Sequence, residues 1–134
     1  MSMSLVQLQE AIPFARHIGV ELVAASPEEV RARLRWAPEL CTTGDLLHGA
    51  ALMTLADSAG AVCAFLNLPE GAGTSTIESK TNFFRGVREG GAVDSVSRPL
   101  HVGRTTIVVQ TDITDGSGKR VAQVTQTQAV LLPR

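Results

Sequence analysis

Cysteine is scarce in this sequence of 134 residues, neither sign of charge is in excess, and the first residues do not have the pattern of a leader. Its two cysteines, Cys41 and Cys63, are too few for a disulfide framework, so we expect reduced thiols in a cytoplasmic protein. Twelve Lys and Arg nearly balance thirteen Asp and Glu, which indicates neither a nucleic-acid partner nor a membrane surface. The start, MSMSLVQLQEAIPF, has no charged segment, long apolar run or cleavage site, and we expect no secretion signal.

The motifs of two hydrolase types are also missing. There is no G-x-S-x-G elbow and no alternation of strands with helices, which argues against a Ser-His-Asp hydrolase. Cys63 lies in an apolar segment without a catalytic motif and is predicted to be a core residue. Repeats and linkers are absent. With 44% hydrophobic and 19% charged residues, the sequence predicts one folded domain over residues 1–134.

The period of the apolar residues predicts the secondary structure. A short amphipathic helical segment, interrupted by Pro13, comes first. Strand-like alternation follows, and in the second strand Arg31, Arg33 and Arg35 occupy the polar positions, which indicates a solvated cationic face. The predicted segments are helix 5–17, strands 20–24 and 30–36, helix 48–66, and strands 74–84, 91–100, 104–114 and 119–131.

Residues 48–66, HGAALMTLADSAGAVCAFL, form the one long apolar segment. Asp57 at its middle, and the alternating pattern of the later strands, favour a helix buried within the protein over a membrane span. Short turns between those strands favour an antiparallel sheet. Because one helix and one sheet bury each other only if the sheet curls around the helix, we predict an α+β fold of that kind.

Asp57 is the residue of this helix that most suggests chemistry. A carboxylate is costly to bury unless it is paired, hydrogen-bonded or at a cleft, and no Lys or Arg lies within four residues of it. Such a group suits a general base or a nucleophile. Small residues on the same helix face predict close approach by a backbone or a slim ligand. They are Ala50, Thr54, Gly60, Ala61 and Ala64.

His48 and Gly49 begin the helix, where free amides and the helix dipole favour an oxyanion. Gly49 would let a ligand approach the backbone, and His48 is either a ligand contact or a cap. Nine residues at about 1.5 Å of rise separate His48 from Asp57 by roughly 13 Å. The two would cooperate only if a second subunit brought its Asp57 to the His48 end of the first, about a two-fold axis.

The pattern L-H-G-A-A-L-M-T-L-A-D-S-A resembles the hot-dog acyl-CoA thioesterases of the phenylacetate-degradation (PaaI-like) group. Three later segments agree with it: T-I-E before N-F-F-R-G, then H-V-G-R, then D-G-S-G before V-A. The resemblance covers residues 14–131. It implies a hot-dog fold, edge-to-edge homodimers that commonly form homotetramers, and hydrolysis of an aryl- or medium-chain acyl-CoA.

The resemblance also implies roles for single residues. Asp57 would act on the thioester carbonyl or on water, the Gly49 amide of the partner subunit would polarise the carbonyl, and His48 would help to position it. No metal or other cofactor is implied, since CoA is part of the substrate and would lie across the subunit interface. The further residues predicted to contact substrate are Thr42, Ser58, Ala61, Phe83, Arg85, Gly103, Arg104 and Arg120.

Two positions depart from the family pattern. Thr42 stands where many relatives have Asn or Gln, and Ala61 stands where several have Ser or Thr, so we expect effects on rate and acyl preference. Two other functions stay open from the residues alone. One is a hot-dog dehydratase of 3-hydroxyacyl thioesters that uses His48 with Asp57, and the other is a non-catalytic acyl-CoA-binding protein.

Overall fold

The protein begins with two short helices. The structure, a computed structural model, describes residues 3–134, so the first two residues of the predicted domain lie outside it. Helix α1 spans Leu5–Glu10 and helix α2 spans Pro13–Ile18. Pro13 occupies the first turn of α2, where its missing N–H and fixed φ suit a helix start. The predicted break at Pro13 is therefore confirmed, and a new helix begins there.

A six-stranded antiparallel sheet and one long helix make up the rest. The sheet order is β1-β2-β4-β5-β6-β3, and α3 packs against β2 to β6. This arrangement confirms the predicted α+β fold with a sheet around a central helix. The elements are β1 Glu21–Ala25, β2 Val30–Arg35, α3 Gly49–Leu66, β3 Gly73–Phe83, β4 Ala92–Val102, β5 Thr106–Asp115 and β6 Arg120–Leu131.

Strand β2 shows why its sequence alternates. Its apolar residues point to α3 and are almost fully buried, whereas its arginines point to solvent. Each arginine has an acidic neighbour, so the predicted solvated face is confirmed, with ion pairs of the exposed kind that add little stability. The pairs are Arg31–Glu29, Arg33–Asp94 and Arg35–Glu21.

Helix α3 is long and apolar enough to span a membrane by length and composition alone, yet more than half of it is buried inside the protein. Leu55, Ala59 and Cys63 face the sheet and are fully buried. The predicted helix buried within the protein is confirmed, with one face left exposed at Met53 and Asp57. The reason is that α1 and α2 cover a different side of the helix.

Strand β3 is an edge strand. It pairs with β6 along its length on one side, and no described strand lies on its other side. Nine of its eleven residues are exposed. A long strand with one unpaired edge is a template for a further strand. The exposed face of α3 lies beside this strand, since Thr76 of β3 contacts Asp57 of α3.

Candidate functional site

The loop before α3 fixes the start of the helix. The Thr42 N–H donates to the Leu46 carbonyl at 2.8 Å, and the His48 N–H donates to the Leu40 carbonyl at 2.8 Å. These bonds hold His48 as the N-cap, with an extended backbone. The Gly49 N–H donates no hydrogen bond within residues 3–134. It is thus a free donor at the positive end of the helix dipole.

Phe83 forms a wall beside this free donor. A Cβ on Gly49 would lie 3.0 Å from Cζ of the Phe83 ring, so glycine keeps the ring close to the helix start. Phe83 is half exposed, and it ends β3 immediately before Phe84 and Arg85. The predicted substrate contacts Gly49 and Phe83 therefore lie together, at the end of α3 that is opposite to Leu66.

Asp57 projects from the open face of α3 towards β3. Oγ1 of Thr76 donates to Oδ1 of Asp57 at 2.9 Å, and Nε2 of Gln126 donates to the same oxygen at 3.2 Å. Oδ2 accepts no hydrogen bond from the part of the chain described. Asp57 is exposed, because the carboxylate lies on the uncovered face of the helix, and its partners come from the sheet.

A second layer of hydrogen bonds lies behind Thr76. Nε2 of Gln128 donates to Thr76 Oγ1 at 2.7 Å, and Thr74 Oγ1 donates to Gln128 Oε1 at 3.1 Å. Gln126 and Gln128 are almost fully buried. The sequence motifs did not predict this layer. The alternation of β6 could have predicted it, because Gln126 and Gln128 follow Val124 at every second position and so share its helix-facing side.

Gly60 makes the contact between Gln126 and Asp57 possible. A Cβ at position 60 would lie 2.1 Å from Oε1 of Gln126, so the amide lies directly against the helix backbone. Close approach to the stripe of small residues was predicted, and at Gly60 the approaching group is this side chain. The rest of the stripe is divided. Ala64 is buried, Thr54 and Ala61 are half-buried, and Ala50 is exposed.

Ser58 and Ala61, both predicted to contact substrate, lie in two different places. Ser58 is buried beneath α1 and α2, beside Leu8 and Val62, because successive helix residues point about 100° apart. The structure does not bring Ser58 to the Asp57 face. Ala61 instead lines an apolar cavity of about 330 Å³, between α1 and the end of α3.

Two of the three predicted phosphate-binding arginines lie together. Arg85 and Arg120, with Phe84 and Lys119, line an open depression of about 430 Å³. Arg120 also lies 3.6 Å from Asp112, which partly balances its charge. The depression adjoins Phe83 and so lies at the Gly49 end of α3.

Arg104 is not part of that depression. It lies in the turn between β4 and β5, where the Gly103 N–H donates to the Thr106 carbonyl at 2.8 Å. Arg120 lies at the other end of the β5–β6 ladder. The ten residues of β5 span about 33 Å, so one chain does not bring Arg104 to Arg85 and Arg120.

Both thiols are poor nucleophiles. Burial raises the pKa of the Cys63 thiol to about 11. Burial, together with the nearby carboxylates of Asp45 and Glu39, raises the pKa of Cys41. Thiols with raised pKa values stay protonated at neutral pH, and only the thiolate attacks. Asp57 is thus the better candidate for the reactive group.

Comparisons with known proteins identify the family to which this fold belongs. The family model described as the thioesterase superfamily matches residues 44–122, more than half of the chain. The 1,4-dihydroxy-2-naphthoyl-CoA hydrolase of Escherichia coli is 36% identical over 86 residues, which are 64% of this chain and 62% of that enzyme, just under two thirds of its length. Thioesterase HI1161 from Haemophilus influenzae has a TM-score of 0.91 at 25% identity, over 98% of this chain and 93% of that one.

A third likeness concerns the fold alone. A mutant form of the phenylacetic acid degradation protein PaaI from Thermus thermophilus has a TM-score of 0.81 at 23% identity. The match covers 88% of this chain and 98% of that one. At 23% identity, this match shows a shared fold only.

Proposed function

The chain belongs to the thioesterase superfamily and is a thioester hydrolase of the hot-dog fold, as its sequence resemblance predicted, and from this we propose that its substrates are acyl-CoA thioesters. In this proposal the Asp57 carboxylate is the general base or the nucleophile. The Gly49 amide of the partner subunit binds the carbonyl oxygen, and His48 positions the thioester. Water is consumed, and the free acid and CoA are released.

One observation supports this assignment above the others. Asp57 is an exposed carboxylate on an otherwise apolar helix, with one oxygen held by Thr76 and Gln126 and the other without a hydrogen bond from the described residues. A carboxylate held in this way has few arrangements to lose when a substrate binds. It can remove a proton from water or attack the thioester carbonyl.

The free edge of β3 supports a site shared by two subunits. Within one chain, Asp57 at the middle of α3 lies beside Thr76, and Gly49 at the start of α3 lies beside Phe83. If two copies of β3 pair antiparallel about the middle of the strand, Asp57 of one helix comes towards Gly49 at the start of the other helix. We propose a homodimer as the minimal active unit, with dimers pairing into a homotetramer.

The cationic depression suits the CoA part of the substrate. Arg85, Lys119 and Arg120 offer three positive charges for its phosphates, and Phe84 offers a ring for its adenine. Because Phe84 directly follows Phe83, which lies against Gly49, CoA bound there would direct its thioester towards the free amide.

The apolar cavity suits the acyl part. Two of its lining residues are close to the carboxylate along the chain, since Ala61 lies one helical turn beyond Asp57 and Thr74 lies two residues before Thr76 on β3. Its volume of about 330 Å³ is roughly twice the 150 Å³ that holds a benzene ring in an engineered core. We propose an aryl or medium-chain acyl group. Ala61, where several relatives have a hydroxyl, keeps this wall apolar.

Thiol release from a panel of acyl-CoAs tests the proposal. Benzoyl-, phenylacetyl-, hydroxyphenylacetyl-, hexanoyl- and decanoyl-CoA are compared with the wild type and Asp57→Asn, which keeps the size of the side chain and removes its charge. We expect turnover of at least one substrate, and a fall in kcat of about a hundredfold or more in the variant. Binding without turnover would instead favour an acyl-CoA-binding protein. Equal activity of both proteins would exclude Asp57 as the reactive group.

A further inference from the structure

We infer that Thr76 and Gln126 are positioning residues that hold Asp57 through Oδ1 and so reserve Oδ2 for the attacking water or the thioester. The inference rests on the proposed role of Asp57 and adds which of its two oxygens reacts. A carboxylate has two equivalent oxygens until its surroundings distinguish them. Here both donors bind one oxygen, at 2.9 Å and 3.2 Å.

The two hydrogen bonds come from different strands. Thr76 lies on β3 and Gln126 on β6, so Oδ1 is bound from two directions. Rotation of the carboxylate about its Cβ–Cγ bond would break both bonds. The orientation of the exposed carboxylate is therefore set by the sheet and does not depend on substrate.

Gln128 fixes the direction in which Thr76 donates. Nε2 of Gln128 donates to Thr76 Oγ1 at 2.7 Å. The proton of Thr74 Oγ1 is shared between Gln128 Oε1 at 3.1 Å and the Ala129 carbonyl at 2.8 Å. A hydroxyl has a single proton. Because Thr76 Oγ1 already accepts from Gln128, its proton is directed to Asp57. Gln128, Thr76 and Asp57 form a hydrogen-bond chain with one polarity, which ends on the carboxylate.

Gln126 is explained better by this role than by stability. Its side chain is fully buried, and its Oε1 has no hydrogen-bond partner among the described residues. A buried polar atom without a partner is unfavourable for folding, and an apolar side chain of the same shape would avoid it. The Nε2 contact with Asp57 is what an apolar replacement would lose. A residue that is unfavourable for the fold and binds the reactive carboxylate is expected at a functional site.

Kinetics of single variants test the inference, with the best acyl-CoA of the panel as substrate. Gln126→Met removes the donor and keeps the length of the side chain, and Thr76→Val removes the hydroxyl and keeps the branching. We expect kcat to fall by about tenfold to a hundredfold in each, with KM close to the wild-type value, because the carboxylate is misplaced while the binding surfaces are intact. Thr76→Ser restores the hydroxyl, and we expect it to restore most of kcat.

Two measurements separate positioning from a general structural effect. Gln126→Met is expected to melt at the wild-type temperature or above it, since it removes a buried atom without a partner. Thr127→Val is the matched control, because Thr127 lies on the same strand as Gln126 but bonds Glu78 on the outer face of the sheet. We expect wild-type kcat for Thr127→Val.

The results for Asp57→Asn distinguish two kinds of failure. If Asp57→Asn is inactive while Gln126→Met and Thr76→Val keep wild-type kcat, the positioning role is wrong and the proposed function stands. If Asp57→Asn is as active as the wild type, the proposed function and the positioning role are both wrong. A loss of kcat in Thr76→Ser as large as in Thr76→Val would also contradict the inference.

Discussion

At the scale of single residues, a glycine and an amide explain how an apolar helix carries a carboxylate. Asp57 has no cation near it on α3, and the sheet binds it instead, through Thr76 and Gln126. The amide reaches Asp57 because Gly60 has no side chain. The sequence predicted Asp57 and the free Gly49 amide from residue type and helix position. It did not predict their partners, because those come from strands 19 and 69 residues away.

Gly60→Ala is predicted to move Gln126 away from Asp57. The new Cβ would overlap Oε1 of Gln126, which is the end of a flexible chain, so the side chain moves and the fold survives. We expect the same fall in kcat as in Gln126→Met. In a Gln126→Ala background the overlap is gone, and Gly60→Ala should cause no further loss and add about 1 kcal/mol of stability from helix propensity. Kinetics and urea unfolding of the four proteins check this, and strictly additive losses of kcat would contradict it.

Ala61→Phe is predicted to change acyl preference. A ring at this position would fill the apolar cavity that Ala61 lines and leave the carboxylate in place. We expect kcat/KM for benzoyl- and decanoyl-CoA to fall by about tenfold or more, while acetyl-CoA is affected little, because only the larger groups need the cavity. Ala24→Phe, at an exposed position of β1, is the control for the added ring. An equal fall in kcat/KM for acyl groups of all lengths would show that the acyl group does not bind in this cavity.

At the scale of elements, local sequence predicted where the strands and helices lie. It did not predict the order of the strands in the sheet. The periods of the apolar residues located every strand and helix to within about two residues, since each period follows from which face is buried. They did not show that β3 pairs with β6, because such pairing depends on how distant strands pack around α3. That pairing is what brings Thr76 beside Gln128. Ser58 is a single residue whose surroundings could not be predicted in this way, because it is covered by α1 and α2 and their position depends on tertiary packing.

The turn between β5 and β6 predicts an acid-dependent loss of stability. Asp115 Oδ1 accepts hydrogen bonds from the hydroxyl and N–H of Ser117 and from the Lys119 N–H. The Ser117 hydroxyl, more than the backbone amides, lowers the pKa of Asp115 below its ordinary value of 3.8, although burial opposes the shift. Its stabilisation is therefore complete above that value and is lost as the pH falls through the lower folded-state pKa.

Asp115→Ala should melt at a lower temperature than the wild type at pH 7. The difference should shrink as the pH falls below about 4, because the wild-type carboxylate becomes protonated there. Thermal unfolding between pH 7 and pH 3, followed by circular dichroism, measures it. Asp115→Asn keeps an acceptor and should lie between the two at pH 7. A difference that is the same at both pH values would rule out the charge as its source.

At the scale of the whole molecule, one chain presents two incomplete halves of a site. The free Gly49 amide and the cationic depression lie at one end of α3, and Asp57 with the apolar cavity lies towards the other. The open face of α3 lies beside the edge strand β3, where a second chain would join the two halves. Our account therefore predicts that neither half acts without a partner subunit.

Complementation between two inactive variants tests this central claim most directly. Gly49→Pro removes the amide proton at a helix position that accepts proline and also shifts the Phe83 ring of the same chain, and Asp57→Asn removes the charge. The two chains, each with its own affinity tag, are expressed together and purified through both tags, and thiol release is measured. We predict that the mixed oligomer recovers up to about half of wild-type kcat, because a mixed dimer has one intact site of two. Activity no higher than that of either variant alone would contradict a site shared between subunits.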